Sequence, residues 1–262
     1  MLDPSAYRAI AIERQPDGVA VATLNRPDRL NAVDAVMHHE LSTVALDADR
    51  DPDVRVLVIT GAGRAFCAGG DFSGAGPASD SQAMFSEARR IVDALLECRK
   101  PVVSAVNGYA MGLGATVALL CDVVVAARSA VFADTHVNMG IGAGDGGQVI
   151  WPLLMGVNRA KYYLMTGDRL GAEEAERLGL VTFVTDDGQA LERALEIARR
   201  LAAGPAVAIA ASKVPINNWI RSQAAQILPL SLAMEEQCFR TADAKEAVAA
   251  FLEKRPPRFT GR

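Results

Sequence analysis

KPVVSAVNGYAMGLG, residues 100–114, passes from an unbroken apolar run into a glycine-rich turn. Val102–Val106 reads as a buried strand entered from Lys100-Pro101, and the turn Gly108–Gly114 opens an apolar helix that runs to Leu120. The same grammar repeats upstream. Asp51-Pro52-Asp53 breaks the chain, Val54–Thr60 (VRVLVIT) is a second buried strand, and RAFCAGGD (64–71) is a second glycine-rich turn. Downstream, Asp122–Ala127 gives one more strand.

Further out, Tyr7–Glu13 and Val19–Leu24 flank Pro16-Asp17-Gly18 and read as a hairpin. Ala32–Asp49 and Gln82–Cys98 carry helical spacing, with the small, polar segment Ser73–Ser81 as a loop before the second. From Gly147 the chain is mostly helical: Ala172–Leu178, a short strand Val181–Val184, the amphipathic helix Ala190–Ala203, and helical segments from Pro205 to Lys254. Strands alternating with helices predict an α/β fold. The expected organisation is an α/β core over residues 1–200 and a C-terminal helical region over 201–262 that serves assembly and covers the active site.

Half of the 262 residues are apolar and 22% are charged, which excludes a disordered or collagen-like chain. The net charge of -4 argues against a nucleic-acid partner, which needs a basic face to neutralise phosphates. No apolar run reaches the roughly 18 residues of a membrane span, and the opening MLDPSAYRAIAIERQPDG lacks a basic start and apolar stretch. A cytoplasmic location is expected. Cys67, Cys98, Cys121 and Cys238 are scattered without a CxxC pair, so free, buried thiols and no metal site are expected.

VLVITGAGRAF (56–66) has the first two glycines of a dinucleotide-binding turn but Phe66 where the third belongs, and it reads better as a turn after a core strand. The pair of turns at 64–71 and 106–114 says more. Glycine lets backbone N–H groups face outward, and two N–H groups from adjacent turns can converge on one oxygen. A helix N-terminus at the second turn adds its dipole to that pull. Such an oxyanion hole contributes a few kcal/mol to an enolate or tetrahedral intermediate.

Asn25-Arg-Pro27 with Leu30-Asn31-Ala32, RAFCAGGD (64–71), KPVVSAVNGYAMGLG (100–114), Cys121-Asp122, LMTGDRL (164–170), AERLGLV (175–181) and FLEKRPPRF (251–259) together resemble the enoyl-CoA hydratase/isomerase (crotonase) family. The likeness spans nearly the whole chain in order and spacing. It implies a crotonase-like spiral of ββα units with a C-terminal helical region, trimers that often pair into hexamers, and an acyl-CoA thioester substrate. Coenzyme A then enters as part of the substrate, and no separate cofactor is expected. By position, the oxyanion-hole donors are the N–H groups of Gly70 and Leu113. Gly70, Asp71, Phe72 and Ser73 line the pantetheine and acyl path, while Phe251 and Lys254 fall where members hold the CoA nucleotide. Lys254 reads equally as a solvated charge at a helix end.

The resemblance departs at the acid/base positions. Hydratases of the family use two glutamates, and by count these fall on Thr116 and His136. Thr116 has no acid/base capacity near neutral pH; it is left a hydrogen bond to water or substrate, or one back to its own helix turn. His136, with an ordinary pKa of about 6.5, suits proton transfer. If Phe132–His136 is extended, Asp134 lies on the same side and fixes the imidazole tautomer. A metal reading of Asp134 and His136 lacks a third ligand. Asp145, in GIGAGDGG (140–147), is the third candidate. Some isomerase and dehalogenase subgroups carry a catalytic acid in this turn one residue earlier, at Gly144; the plain alternative is an N-cap for the following helix. His38 and His39 are assigned no chemistry.

The expected activity is therefore an acyl-CoA reaction of the hydratase/isomerase group, hydration first, with enolate stabilisation at Gly70 and Leu113 and proton transfer by His136, alone or with Asp145. Isomerase, hydrolase or carbon–carbon lyase chemistry, or acyl-CoA binding without turnover, are the alternatives.

Overall fold

The computed structural model describes residues 1–71 and 81–262. Phe72, Ser73 and most of the expected 73–81 loop lie outside the described residues. Strands β1 (Ile10–Arg14), β2 (Val19–Leu24) and β3 (Val56–Gly61) are followed by the three-residue β4 (Ala65–Cys67), with α1 (Ala35–Arg50) between β2 and β3. Next come α2 (Ser81–Glu97), β5 (Val102–Val106), β6 (Tyr109–Met111), α3 (Leu113–Leu119), β7 (Val123–Ala127), β8 (Val131–Ala133) and α4 (Gly147–Met155). The remainder is α5 (Val157–Thr166), β9 (Leu170–Gly171), α6 (Ala172–Leu178), β10 (Phe183–Thr185), α7 (Ala190–Ala202), α8 (Ala206–Phe239) and α9 (Ala242–Leu252).

Among the described residues, one sheet has the order β1-β2-β3-β5-β7-β10 and a second, smaller sheet the order β4-β6-β8-β9. The chain thus climbs in turns: a strand of the large sheet, a short strand of the small one, then a helix. β3-β4-α2, β5-β6-α3 and β7-β8-α4 are three successive turns of this spiral, as the resemblance implies. Across these three turns the strands of each sheet pair in parallel, whereas β1 with β2 and β8 with β9 pair antiparallel. Continuous Val, Leu and Ile runs in β3 and β5 suit strands covered on both faces, and both are buried throughout. Turns between layers bring backbone against backbone. A Cβ on Gly108 would lie 2.2 Å from the Arg64 carbonyl oxygen, and one on Gly61 2.3 Å from that of Ala65. Gly61-Ala-Gly63 therefore links two strands rather than opening a helix, and Phe66 is a buried strand residue.

Several boundaries move for local reasons. β1 begins at Ile10 rather than Tyr7, because the Glu40 carboxylate accepts the N–H groups of Arg8, Ala9 and Ile10 ahead of the ladder. α1 begins at Ala35 rather than Ala32: Asp34 caps it by accepting the Met37 N–H at 2.9 Å, and Val33 bridges to Gly70 instead. The strand expected at Val181–Val184 is Phe183–Thr185, since Leu180 and Val181 send their N–H groups back to Ala175 and close α6 behind left-handed Gly179.

α8 packs on α2, α4 and α7, and its buried stripe includes Ala224, Leu228, Ser231, Leu232 and Glu235. Cys67, Cys98 and Cys121 are buried free thiols, and Cys238 is partly covered. No helix among the described residues is long and apolar enough to cross a membrane.

Candidate active site

The residues of interest gather where three consecutive strands of the small sheet end. β4 and β6 run parallel, as do β6 and β8. Gly70 follows β4, Gly112-Leu113 follows β6, and Asp134 and His136 follow β8, so all three segments leave the sheet at the same edge. Gly112 takes φ 52 and ψ -124, a conformation that favours glycine, and Leu113 is the first residue of α3. Its N–H belongs to the first turn of the helix, which has no intrahelical acceptor. A Cβ on Gly112 would touch the His136 ring at 3.3 Å, so the imidazole covers this turn.

His136 does not sit on an extended strand. β8 stops at Ala133, and His136 begins a short 3-10 turn. Asp134 and His136 still meet, by a turn rather than by strand alternation: Oδ1 of Asp134 lies 2.6 Å from Nδ1 of the ring and also accepts the His136 backbone N–H. The other ring nitrogen, Nε2, is 3.2 Å from Oδ2 of Asp145. Asp145 is not the helix cap. That position belongs to Gly146, at φ 119, and makes no side-chain cap bond. The Thr116 hydroxyl donates to Oδ1 of Asp145 at 3.3 Å, in place of the bond back to its own helix turn.

The result is a buried row, Asp134–His136–Asp145–Thr116. Burial by itself disfavours the charged imidazole, but attraction to Asp145 and Asp134, with their hydrogen bonds, raises the His136 pKa well above its ordinary value. Burial likewise works against the Asp145 carboxylate, yet His136 and the Thr116 hydroxyl hold it below the usual carboxylate range. The His136 ring thus has a carboxyl group at each of its two nitrogens, Asp134 at Nδ1 and Asp145 at Nε2. Oδ2 of Asp134 has no hydrogen-bond partner among the described residues and leans on Gly147, the first residue of α4, where the helix dipole favours negative charge.

Other expected residues fall elsewhere. Asp71 is bound up with Arg26, whose Nη2 lies 3.0 Å from its carboxylate. Lys254 and Phe251 are exposed around the end of α9, whose opposite end packs on Gly140. Within one chain they are not brought to the row. Sequence reading also missed Glu235, a buried α8 carboxyl against Gly144. Its signal was an acid on the same helical stripe as Leu228 and Leu232, at spacings of seven and three.

Residues 14–262 match the family model described as enoyl-CoA hydratase/isomerase. The chain is 39% identical to a Rhodobacter capsulatus protein named "Probable enoyl-CoA hydratase", over 98% of this chain and 100% of that one. It is 38% identical to the 1,2-epoxyphenylacetyl-CoA isomerase of Escherichia coli, over 94% and 96% respectively. A crystal structure of an enoyl-CoA hydratase/isomerase from Mycobacterium paratuberculosis superposes with a TM-score of 0.88 at 37% identity, covering 92% of this chain and 97% of that one.

Proposed function

The chain belongs to the enoyl-CoA hydratase/isomerase family and has its crotonase fold, and from that premise we propose that it shifts a proton along the acyl chain of an unsaturated acyl-CoA thioester. The observation that supports this reading is the buried carboxyl of Asp145, tethered by the Thr116 hydroxyl and by Nε2 of His136. A proton shift needs one base that takes a proton at one carbon and returns it at another.

In the proposed reaction the thioester carbonyl oxygen lies between the N–H groups of Gly70 and Leu113. Asp145 removes the proton on the carbon next to the carbonyl, the electron pair flows onto oxygen, and the two N–H groups hold the enolate. The proton then returns from Asp145 to the far carbon of the allylic system, and the double bond has moved. Charge balances: the enolate appears as Asp145 becomes neutral, while His136 stays cationic beside it. Coenzyme A enters and leaves as part of the substrate, and this redox-neutral step calls on no separate cofactor.

Hydration is the second reading, favoured by the hydratase name of the relative at 39% identity and by the two oxygen-bearing groups, Thr116 and Asp145, that could share a water. The two are separated by assaying a 3-enoyl-CoA for isomerisation and crotonyl-CoA for hydration side by side. Isomerisation is expected to be the faster; dominant hydration would replace the first reading with the second. Leu113→Pro tests the oxyanion hole, because proline is tolerated at the first position of a helix yet lacks the N–H. It should lower kcat by about 10²–10³-fold with thioester binding retained. Unchanged kcat would remove Leu113 from the site, and binding without turnover in the unaltered protein would make it an acyl-CoA binding protein.

Assembly belongs to the same proposal. Tyr162 and Met165 of α5, and Ile216, Trp219, Leu230 and Met234 of α8, are large apolar side chains exposed on the single chain. A trimer or hexamer would cover such faces. Light scattering should give three or six times the chain mass; a monomer at micromolar concentration would overturn this.

A further inference from the structure

Glu235 stands 99 residues after His136 in sequence and against the same loop in space. The residue is 5% exposed, and its Oε2 is buried without a hydrogen-bond partner among the described residues. A Cβ added to Gly144 would be 2.3 Å from that oxygen, 2.6 Å from Cβ of Glu235 and 2.8 Å from the Ser231 carbonyl oxygen. The carboxyl therefore lies flat against the residue that precedes Asp145. One helical turn earlier, the Ser231 hydroxyl donates to Gln148 Oε1 at 2.7 Å and ties α8 to α4 on the far side of the loop.

An unpaired buried carboxyl is a costly way to fill space, since an apolar side chain of similar volume carries no desolvation penalty. We propose that Glu235 is a positioning residue of the proton-transfer site: packed on Gly144, it holds the 140–147 loop so that Asp145 stays on His136 and Thr116. The role rests on the proposed function of Asp145. The charged groups that face Glu235 are His136 and Asp134 from the start of the 3-10 turn and Asp145 from the loop. Gln148 of α4 meets α8 through Ser231, one turn before Glu235, and Ala244 of α9 lies against Gly140 of the same loop. Asp243 of α9 is engaged by the Thr260 and Gly261 N–H groups.

Burial pushes the Glu235 carboxyl up to about 8; the cation of His136 opposes this, and the charges of Asp145 and Asp134 add to it. Ionising Glu235 would set a third negative charge beside Asp134 and Asp145, repel the loop's carboxylate and disfavour an enolate in the site. The activity should then follow the neutral fraction of Glu235.

Two measurements test this on the full chain. Ring ¹⁵N shifts are followed against pH in the unaltered protein, where only three histidines contribute. His136 should report a transition near pH 8 as Glu235 ionises, and this transition should be absent from Glu235→Gln. In parallel, kcat of the unaltered enzyme should fall about tenfold from pH 7 to pH 9 as the neutral form is titrated away, and Glu235→Gln should lose most of that fall. A merely structural role would change thermal stability and leave both pH profiles alike, and that result overturns the proposal. Should the variant fail to fold, the titration of the unaltered protein still decides: no His136 transition between pH 7 and 9 overturns it. The ring titration needs no turnover, so it stands even if no thioester substrate is converted and the functional reading fails.

Discussion

Asp145→Asn lowers kcat by about 10²–10⁴-fold, or roughly 3–5 kcal/mol of barrier, while thioester affinity changes little. Asparagine keeps the shape and can still accept the Thr116 hydroxyl through its amide oxygen, so the row survives in outline. What it loses is the ability to take a proton. The wild-type pH–rate profile carries a second mark of the same residue. His136 and Thr116 hold the Asp145 carboxyl below the usual carboxylate range despite its burial, so the base is ionised throughout the range in which the protein is handled. The acid limb of kcat/KM should therefore fall below the ordinary aspartate value of about 3.9 rather than near 6.5. An acid limb centred near 6.5 would return the role of base to a neutral His136. A kcat in Asp145→Asn within about threefold of wild type would remove Asp145 from the chemistry.

The strands and helices that repeat over many residues could be read from the chain, because periodicity needs length. Val102–Val106 and Ala172–Leu178 lie where their patterns put them. The small sheet could not be read. β4, β6 and β8 have three residues each and β9 has two, too few to show alternation, and they are strands only because the spiral stacks them. The site divides along the same line. Glycine turns are local features and could be read in the chain, while His136 was singled out by counting along the family resemblance. The chemical state of His136 depends on Asp145 arriving from another turn, and so does the hydroxyl of Thr116, which a local rule sends back to its own helix. Glu235 is set beside Gly144 only by the return of α8 across the site, and nothing near it in sequence announces that contact.

The state of His136 is also a statement about stability. Removing the ring leaves two buried carboxylates, Asp134 and Asp145, facing an empty space where a cation stood. His136→Ala should destabilise the fold by roughly 3–5 kcal/mol at pH 7, the usual cost of stripping one partner from a buried ion pair. The pH dependence follows from the raised histidine pKa. The imidazolium's contribution is fully present below the unfolded value of about 6.5 and is lost as pH rises through the higher folded value. The gap between wild type and variant, read from urea midpoints, should therefore narrow above neutral pH. Asp145→Asn added to His136→Ala should recover part of the lost stability, since it removes one of the two stranded charges; simple additivity would mean the pair does not interact. Equal urea midpoints for wild type and His136→Ala at pH 7 would mean that His136 is neutral in the native protein, and proton transfer would then have to be rewritten around an imidazole rather than around Asp145.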